Sequence, residues 1–324
     1  MAFNPKYPSP YKHVIMSQQF VPSFLEEVFV LADAIRAHEQ QFSSRLRGLV
    51  IAEHFSEAST RTWYSFGAAA VRLGAHLVCS QGSDKFSSEV KGESLEDSIR
   101  VISGNVHCII LRHVDDDSSR RAVSVSKVPV INAGSGKTQH PSQALLDGYT
   151  IKREFGQLHG LRIGVAGDLT RGRTCDSLVY NMAKYPGNSF HFVAPYNCKP
   201  KPGLLQHLRE HGVPFTEHEA LEEVVGDVDV LYMTRVQIER FDDPEEAQKT
   251  RGQLILYPHL ANRMKDAAII MHPLPRVDEL PKEVDSNHRA RYFEQADNGL
   301  WVRMALLLIL LKPRSENFTL APSL

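Results

Sequence analysis

No stretch of this sequence is apolar for long enough to cross a membrane as a helix. The longest run, Met304 to Leu311, falls far short of the roughly 18 residues required. The opening segment, MAFNPKYPSPYKH, lacks an uninterrupted apolar core, so neither a signal peptide nor a membrane anchor is expected there. Cysteine is scarce: Cys79, Cys108, Cys175 and Cys198 are widely spaced, with no CxxC pair and no histidines at metal-ligand spacing. A disulfide framework or a zinc site is therefore disfavoured, and reduced thiols in a cytoplasmic protein are expected. Charge of one sign is lacking as well, since 37 basic residues stand against 38 acidic ones and leave a formal net charge of −1. No global field is available to attract nucleic acid or an anionic membrane, and neither is expected as a partner. Repeats at solenoid spacing and low-complexity tracts are also missing.

What remains is an ordinary globular composition, 42% hydrophobic and 23% charged, over 324 residues. That length suits two domains of about 150 residues each. Short β-rich apolar runs occur at Leu49 to Ala52, His76 to Ser80, Cys108 to Leu111 and Val128 to Ile131. Four more follow at Arg162 to Ala166, Phe190 to Val193, Val228 to Met233 and Ala268 to Met271. Helical stretches separate them, so the pattern predicts an α/β chain with two groups of four parallel strands, divided near His140 to Gly156.

Two helices begin in informative places. After the first strand, Ser59 is a suitable N-cap, apolar positions follow at Trp63, Phe66, Ala70 and Leu73, and Gly74 supplies a stop. The backbone donors of Thr60 to Thr62 then lie at the carboxyl end of a parallel strand, where ligands of open α/β sheets bind. The second helix opens at His140-Pro141, with proline in its favoured first turn, and ends at Gly156; it is expected to bridge the two sheets.

Ser59-Thr60-Arg61-Thr62 combines hydroxyls, a guanidinium, free peptide donors and the helix dipole, which together suit a phosphate. Taken alone, the tetrapeptide reads equally as a capped helix with one solvated arginine. Arg112-His113 ends the third strand, so Arg112 should emerge at the same sheet edge. Gly134-Ser135-Gly136-Lys137-Thr138 imitates a P-loop, but position 131, where that loop needs glycine, is Ile131. Gly164-Val165-Ala166-Gly167 likewise lacks the spacing of a dinucleotide fingerprint.

His140-Pro141-Ser142-Gln143 places an imidazole and an amide on one helical turn, able to polarise a carbonyl and hold a neighbouring amide, or merely to cap the helix. Arg173, in Gly172-Arg173-Thr174, and Arg235, in Thr234-Arg235-Val236-Gln237, follow two later strands. Each could be a loop charge, yet together they suit a substrate with two carboxylates. Lys91 sits in a polar stretch from Gln81 to Glu93 that reads as a mobile loop.

Taken in order, these motifs resemble those of the aspartate carbamoyltransferases over nearly the whole chain. They are Ser59-Thr60-Arg61-Thr62, Lys91-Gly92-Glu93, Leu111-Arg112-His113, His140-Pro141-x-Gln143, Gly172-Arg173-Thr174, Thr234-Arg235-x-Gln237 and His272-Pro273-Leu274-Pro275-Arg276. The related ornithine enzymes would show His-Cys-Leu-Pro at the last position and a Ser-Met-Gly motif near Arg235. The resemblance implies two doubly wound parallel-sheet domains joined by two interdomain helices. A carbamoyl-phosphate domain would span 1–145 plus 298–324, and an aspartate domain 146–297. The last helix, near Asn298 to Leu311, would cross back to the first domain.

The resemblance also implies transfer of a carbamoyl group from carbamoyl phosphate to L-aspartate, in pyrimidine biosynthesis, without metal or organic cofactor. It implies a homotrimer with shared active sites, Ser87 and Lys91 reaching into the neighbouring subunit, and leaves room for regulatory or multienzyme partners. Ser59, Thr60, Arg61, Thr62 and Arg112 would hold the phosphate. Thr62, Arg112 and His140 would polarise the carbonyl, and Gln143 with the backbone at Leu274-Pro275, a cis bond by analogy, would hold the carbamoyl amide. Arg173, Thr174, Arg235 and Gln237 would take the aspartate, with Lys91 close to both ligands. Trp63 and Val114 replace an arginine and a proline common in the family, and the acidic run Asp115-Asp116-Asp117 is unusual. These departures are the only features that favour a catalytically silent homologue.

Overall fold

The computed structural model describes residues 12–81 and 91–311. Compactness divides the chain into a first unit of Met1–Ile15, Glu27–Ala133 and Leu300–Leu324, and a second of Met16–Glu26 and Gly134–Gly299. The crossings at 133/134 and 299/300 compare with the sequence-based boundaries of 145/146 and 297/298. Two helices carry the chain from one unit to the other, α1 (Pro22–Ala37) and the last helix (Tyr292–Leu311). The Met16–Glu26 segment joins the second unit through polar ties: Lys184 Nζ donates to Ser17 O at 2.5 Å, and Ser17 N to Gln139 Oε1 at 3.1 Å.

The first unit is built on a four-stranded parallel sheet in the order β2-β1-β3-β4, with β1 Val50–Phe55, β2 His76–Gln81, β3 Cys108–His113 and β4 Val130–Ser135. Its inner strands are covered on both faces: every residue of β3 is buried, as is every residue of β1 after Val50. Helices α2 (Thr60–Arg72), α3 (Leu95–Ile102) and α4 (Ser118–Val125) follow successive strands. Ile99, Ile109, Leu111, Ala122 and Val130 form a fully buried cluster. Pairing of β1 with β3 sets Phe55 opposite Arg112, so the loop after Phe55 starts beside the Arg112 side chain.

The second unit carries a five-stranded parallel sheet, β7-β6-β5-β8-β9, one strand more than the sequence pattern predicts. Its strands are β5 Arg162–Ala166, β6 Ser189–Val193, β7 Phe215–His218, β8 Val230–Met233 and β9 Ile269–Met271. The additional strand is β7, at the sheet edge, where no residue is buried. Its Phe-Thr-Glu-His sequence has no apolar run to betray it, because an edge strand with open faces does not need one.

Helix α5 (Pro141–Phe155) has the bounds expected, with Pro141 in its first turn and Gly156 in the left-handed conformation at its end. By compactness it falls on the second unit's side of the crossing at 133/134. There it packs on α6 (Arg173–Met182), with Asn181 Nδ2 donating to Ala144 O at 3.1 Å and His140 N to Ser177 Oγ at 2.9 Å. Among the described residues no helix is long and apolar enough to cross a membrane.

Candidate active site

In the first unit, β1 ends at Phe55 and the chain turns through Ser56–Ala58 into α2. Ser56 N donates to Arg112 O at 2.9 Å, tying this turn to the end of β3. Ser59 occupies the N-cap position in an extended conformation (φ −158°), but its hydroxyl makes no capping bond, contrary to the role expected. Thr60 and Arg61 are exposed and Thr62 is buried. The helix N-terminus and the Arg112 side chain thus share one sheet edge, an arrangement that concentrates donors for an anion.

Arg112 is already engaged. Its guanidinium donates to Glu57 Oε1 at 2.9 Å and to Ala133 O at 3.2 Å. Glu57 escaped the sequence reading; an acid two residues before Ser59 in an anion-binding loop was the available clue. The unusual acidic run is partnered nearby: Asp115 N donates to His113 Nδ1 at 3.0 Å, and Asp115 pairs with Arg121 at 3.3 Å. Arg121 in turn grips Glu96 with two bonds of 2.7 Å. Trp63, which replaces the common arginine, packs edge-on against Phe55 with centroids 5.2 Å apart, and Val114 is exposed. Lys91 is exposed just ahead of α3, whose cap is Ser94 accepting from Asp97 N. Ser87 lies outside the described residues.

The second unit gathers the remaining candidates. His140 and Gln143 are buried on the first turn of α5, with His140 Nδ1 and Ser142 Oγ 3.4 Å apart. Arg173 opens α6 and donates to Gly136 O at 2.8 Å, so the segment that imitates a P-loop serves to hold an arginine. Thr174 beside it is half-buried.

Because β5 and β8 are neighbours, the loops bearing Arg173 and Arg235 leave the sheet together: Thr234 N donates to Ala166 O at 2.8 Å. Gly167 allows this approach, since a Cβ there would lie 2.1 Å from Thr234 O. Arg235 is half-buried and held in a fork by both oxygens of Glu239, which it keeps below the usual carboxylate range. Gln237 N donates to Asp168 Oδ2 at 3.2 Å, and Asp168 also accepts from Arg171 N at 3.1 Å. A cleft of about 110 Å³ has Gly167, Thr234, Arg235 and Glu279 in its lining.

Leu274 has a left-handed φ of 52°, and its bond to Pro275 is cis. Its N–H donates to His272 Nδ1 at 2.8 Å, while His272 Nε2 lies 2.9 Å from Glu279 Oε1. Glu239, Glu279 and Asp168 were missed in the sequence because nothing local ties them to their partners.

Comparison with known proteins likewise divides the chain in two, with the boundary between residues 153 and 159 rather than at 133/134. Residues 12–153 match the family model described as aspartate/ornithine carbamoyltransferase, carbamoyl-P binding domain. Residues 159–310 match the Asp/Orn binding domain of the same family. A chloroplastic aspartate carbamoyltransferase of Oryza sativa subsp. japonica is 45% identical over 309 residues, covering 93% of this chain and 85% of the relative. The aspartate carbamoyltransferase catalytic subunit of Thermofilum pendens is 42% identical over 301 residues, covering 93% and 95%. Among solved structures, Trypanosoma cruzi aspartate transcarbamoylase with carbamoyl phosphate and aspartate superposes with a TM-score of 0.88 at 35% identity, covering 93% of this chain and 97% of that one. The chain therefore belongs to the aspartate/ornithine carbamoyltransferase family.

Proposed function

We propose that this protein is an aspartate carbamoyltransferase, which moves the carbamoyl group of carbamoyl phosphate to the amine of L-aspartate and releases phosphate. The observation that carries this reading is the pairing of arginine-bearing loops at adjacent strand ends. In the first unit Arg112 stands beside the Ser59–Thr62 helix N-terminus, and in the second the Arg173 and Arg235 loops leave neighbouring strands. The first set suits a phosphate, the second a dicarboxylic amino acid.

In this reading Ser59, Thr60, Arg61, Thr62 and Arg112 bind the phosphate, and Arg112, Thr62 and His140 stabilise charge on the carbonyl oxygen. Gln143 and the backbone at Leu274-Pro275 hold the carbamoyl amide, Arg173, Thr174, Arg235 and Gln237 take the aspartate, and Lys91 serves both ligands. The attacking amine must be neutral, and the departing phosphate can accept its proton, so no protein nucleophile is needed. Catalysis is then positioning plus electrostatics; losing one prearranged donor typically costs about 10² to 10³ in turnover.

The protein works in pyrimidine biosynthesis, in the cytoplasm, as a homotrimer in which Ser87 and Lys91 complete the neighbouring subunit's site. Exposed Tyr64 and Val71 on α2 and Val78 on the edge strand β2 give the first unit apolar surface for such an assembly. A colorimetric assay for carbamoyl-aspartate tests the activity, with ornithine as the competing acceptor. Turnover of ornithine but not aspartate would overturn the substrate assignment.

A further inference from the structure

We propose that Asp147 is a positioning residue for carbamoyl transfer: it decides which end of the Gln143 amide faces the carbamoyl group and, through Gln295, steadies the Leu274 loop. The inference rests on the reading of Gln143 and Leu274 as partners of the carbamoyl amide. Asp147 is fully buried on α5, one helical turn beyond Gln143. Its Oδ1 accepts from Gln143 Nε2 at 2.9 Å and from Gln295 Nε2 at 2.6 Å, and its Oδ2 accepts from Tyr232 OH at 2.9 Å.

A glutamine amide has nearly the same shape either way round, so shape alone cannot orient it. A buried carboxylate can. With the –NH2 of Gln143 toward Asp147 the pair is a charge-assisted hydrogen bond; flipped, two oxygens would face each other in a low-dielectric interior, unpaired. Asp147 therefore turns Oε1 of Gln143 away from itself, as an acceptor. A ligand satisfies that acceptor only with an N–H, which a carbamoyl group carries and an acetyl group does not.

Gln295 is oriented by the same oxygen. Its –NH2 faces Asp147, so its Oε1 is presented to the backbone and accepts from His272 N at 2.8 Å. His272 then accepts from Leu274 N through Nδ1, which leaves Nε2 as the protonated nitrogen toward Glu279. Leu274, held at φ 52°, is a position where a non-glycine residue needs such support. One carboxylate thus organises both groups assigned to the carbamoyl amide, and it links α5, β8 and the last helix to do so.

The test uses the full chain, with Asp147→Asn, Gln143→Ala, the double variant and Gln295→Leu. It compares kcat/KM for carbamoyl phosphate with the inhibition constant of acetyl phosphate, in which a methyl group replaces the –NH2. Asp147→Asn is expected to lower kcat/KM for carbamoyl phosphate about tenfold or more, mainly through KM, while acetyl phosphate inhibition stays within about twofold. The double variant should fall short of full additivity, because the part of the Asp147 effect that runs through Gln143 is already lost, and the remaining loss should match that of Gln295→Leu.

Gln295→Leu keeps the Gln143–Asp147 bond and removes the tether to His272. It should raise the carbamoyl phosphate KM and leave acetyl phosphate inhibition unchanged. Equal losses with both phosphates, or full additivity in the double variant, would make Asp147 merely structural and overturn the proposal. An unchanged KM in Gln295→Leu would remove its loop half. If Gln143→Ala alone leaves carbamoyl phosphate untouched, the assignment of Gln143 itself fails, an outcome distinct from failure of Asp147 to act through it.

Discussion

Glu57 holds the guanidinium of Arg112, 2.9 Å from carboxylate oxygen to nitrogen, at the sheet edge where a phosphate would bind. The pair is mostly shielded, with side-chain exposures of 10% for Arg112 and 25% for Glu57. An incoming phosphate must compete with that carboxylate for the same donors. Glu57→Gln removes the negative charge and keeps the shape, so inorganic phosphate should bind more tightly. A gain of about fivefold corresponds to roughly 1 kcal/mol, the scale of a partly exposed ion pair. Isothermal titration calorimetry reads this directly, and an unchanged or weakened affinity would show that Glu57 does not compete.

Arg235 presents a comparable case in the second unit, where Glu239 fills the fork that an aspartate carboxylate would use. Arg235→Ala should raise the aspartate KM by at least about tenfold, since a bidentate charged contact is lost. Carbamoyl phosphate affinity should stay within about twofold, because the residues assigned to its phosphate lie on the other unit. Calorimetry showing a large loss of carbamoyl phosphate binding would contradict that division of labour.

Glu53, buried in β1 with Oε1 unpartnered, predicts a pH-dependent stability. Burial lifts its carboxyl to about 7, against the opposing pull of the Cys79 thiol, the Gly67 backbone and Arg303. Above its unfolded value the folded state binds the extra proton, so stability falls as pH rises through that window to about 7. Glu53→Gln stays neutral throughout. Its melting temperature relative to wild type should therefore climb by a few degrees between mildly acidic and mildly alkaline pH. A pH-independent difference in thermal scans would show that Glu53 does not titrate there.

Shared sites can be tested by complementation. Arg61→Ala alone should lose at least about 10²-fold in turnover without unfolding, for Arg61 is exposed and is assigned above to the leaving phosphate. Lys91→Ala should be comparably impaired. In trimers refolded from a mixture of the two, random pairing should restore up to about a quarter of the sites, because each member of a pair is intact about half the time. Verified hybrid trimers no more active than the mean of the two parents would mean that Lys91 serves its own chain.

The parallel strands β1, β3, β5 and β8 were legible in the sequence because strands covered on both faces must be apolar throughout. Helix α5 was legible to the residue, since Pro141 and Gly156 mark its ends by backbone chemistry alone. The arginines at strand ends could be placed because parallel connectivity sends successive loops to one edge. Edge strand β7 could not be read, for Thr216 and Glu217 answer to solvent rather than to a core.

Nor could the partners of the charged groups be read. Glu57 with Arg112, Arg173 with Gly136 O, and Asp147 with Tyr232 and Gln295 join residues 37 to 148 positions apart. Periodicity reports which face of an element is buried, and spacing reports local caps and turns. Which carboxylate meets which guanidinium or amide depends on strand order and helix packing, and for these pairs only the tertiary structure decided it.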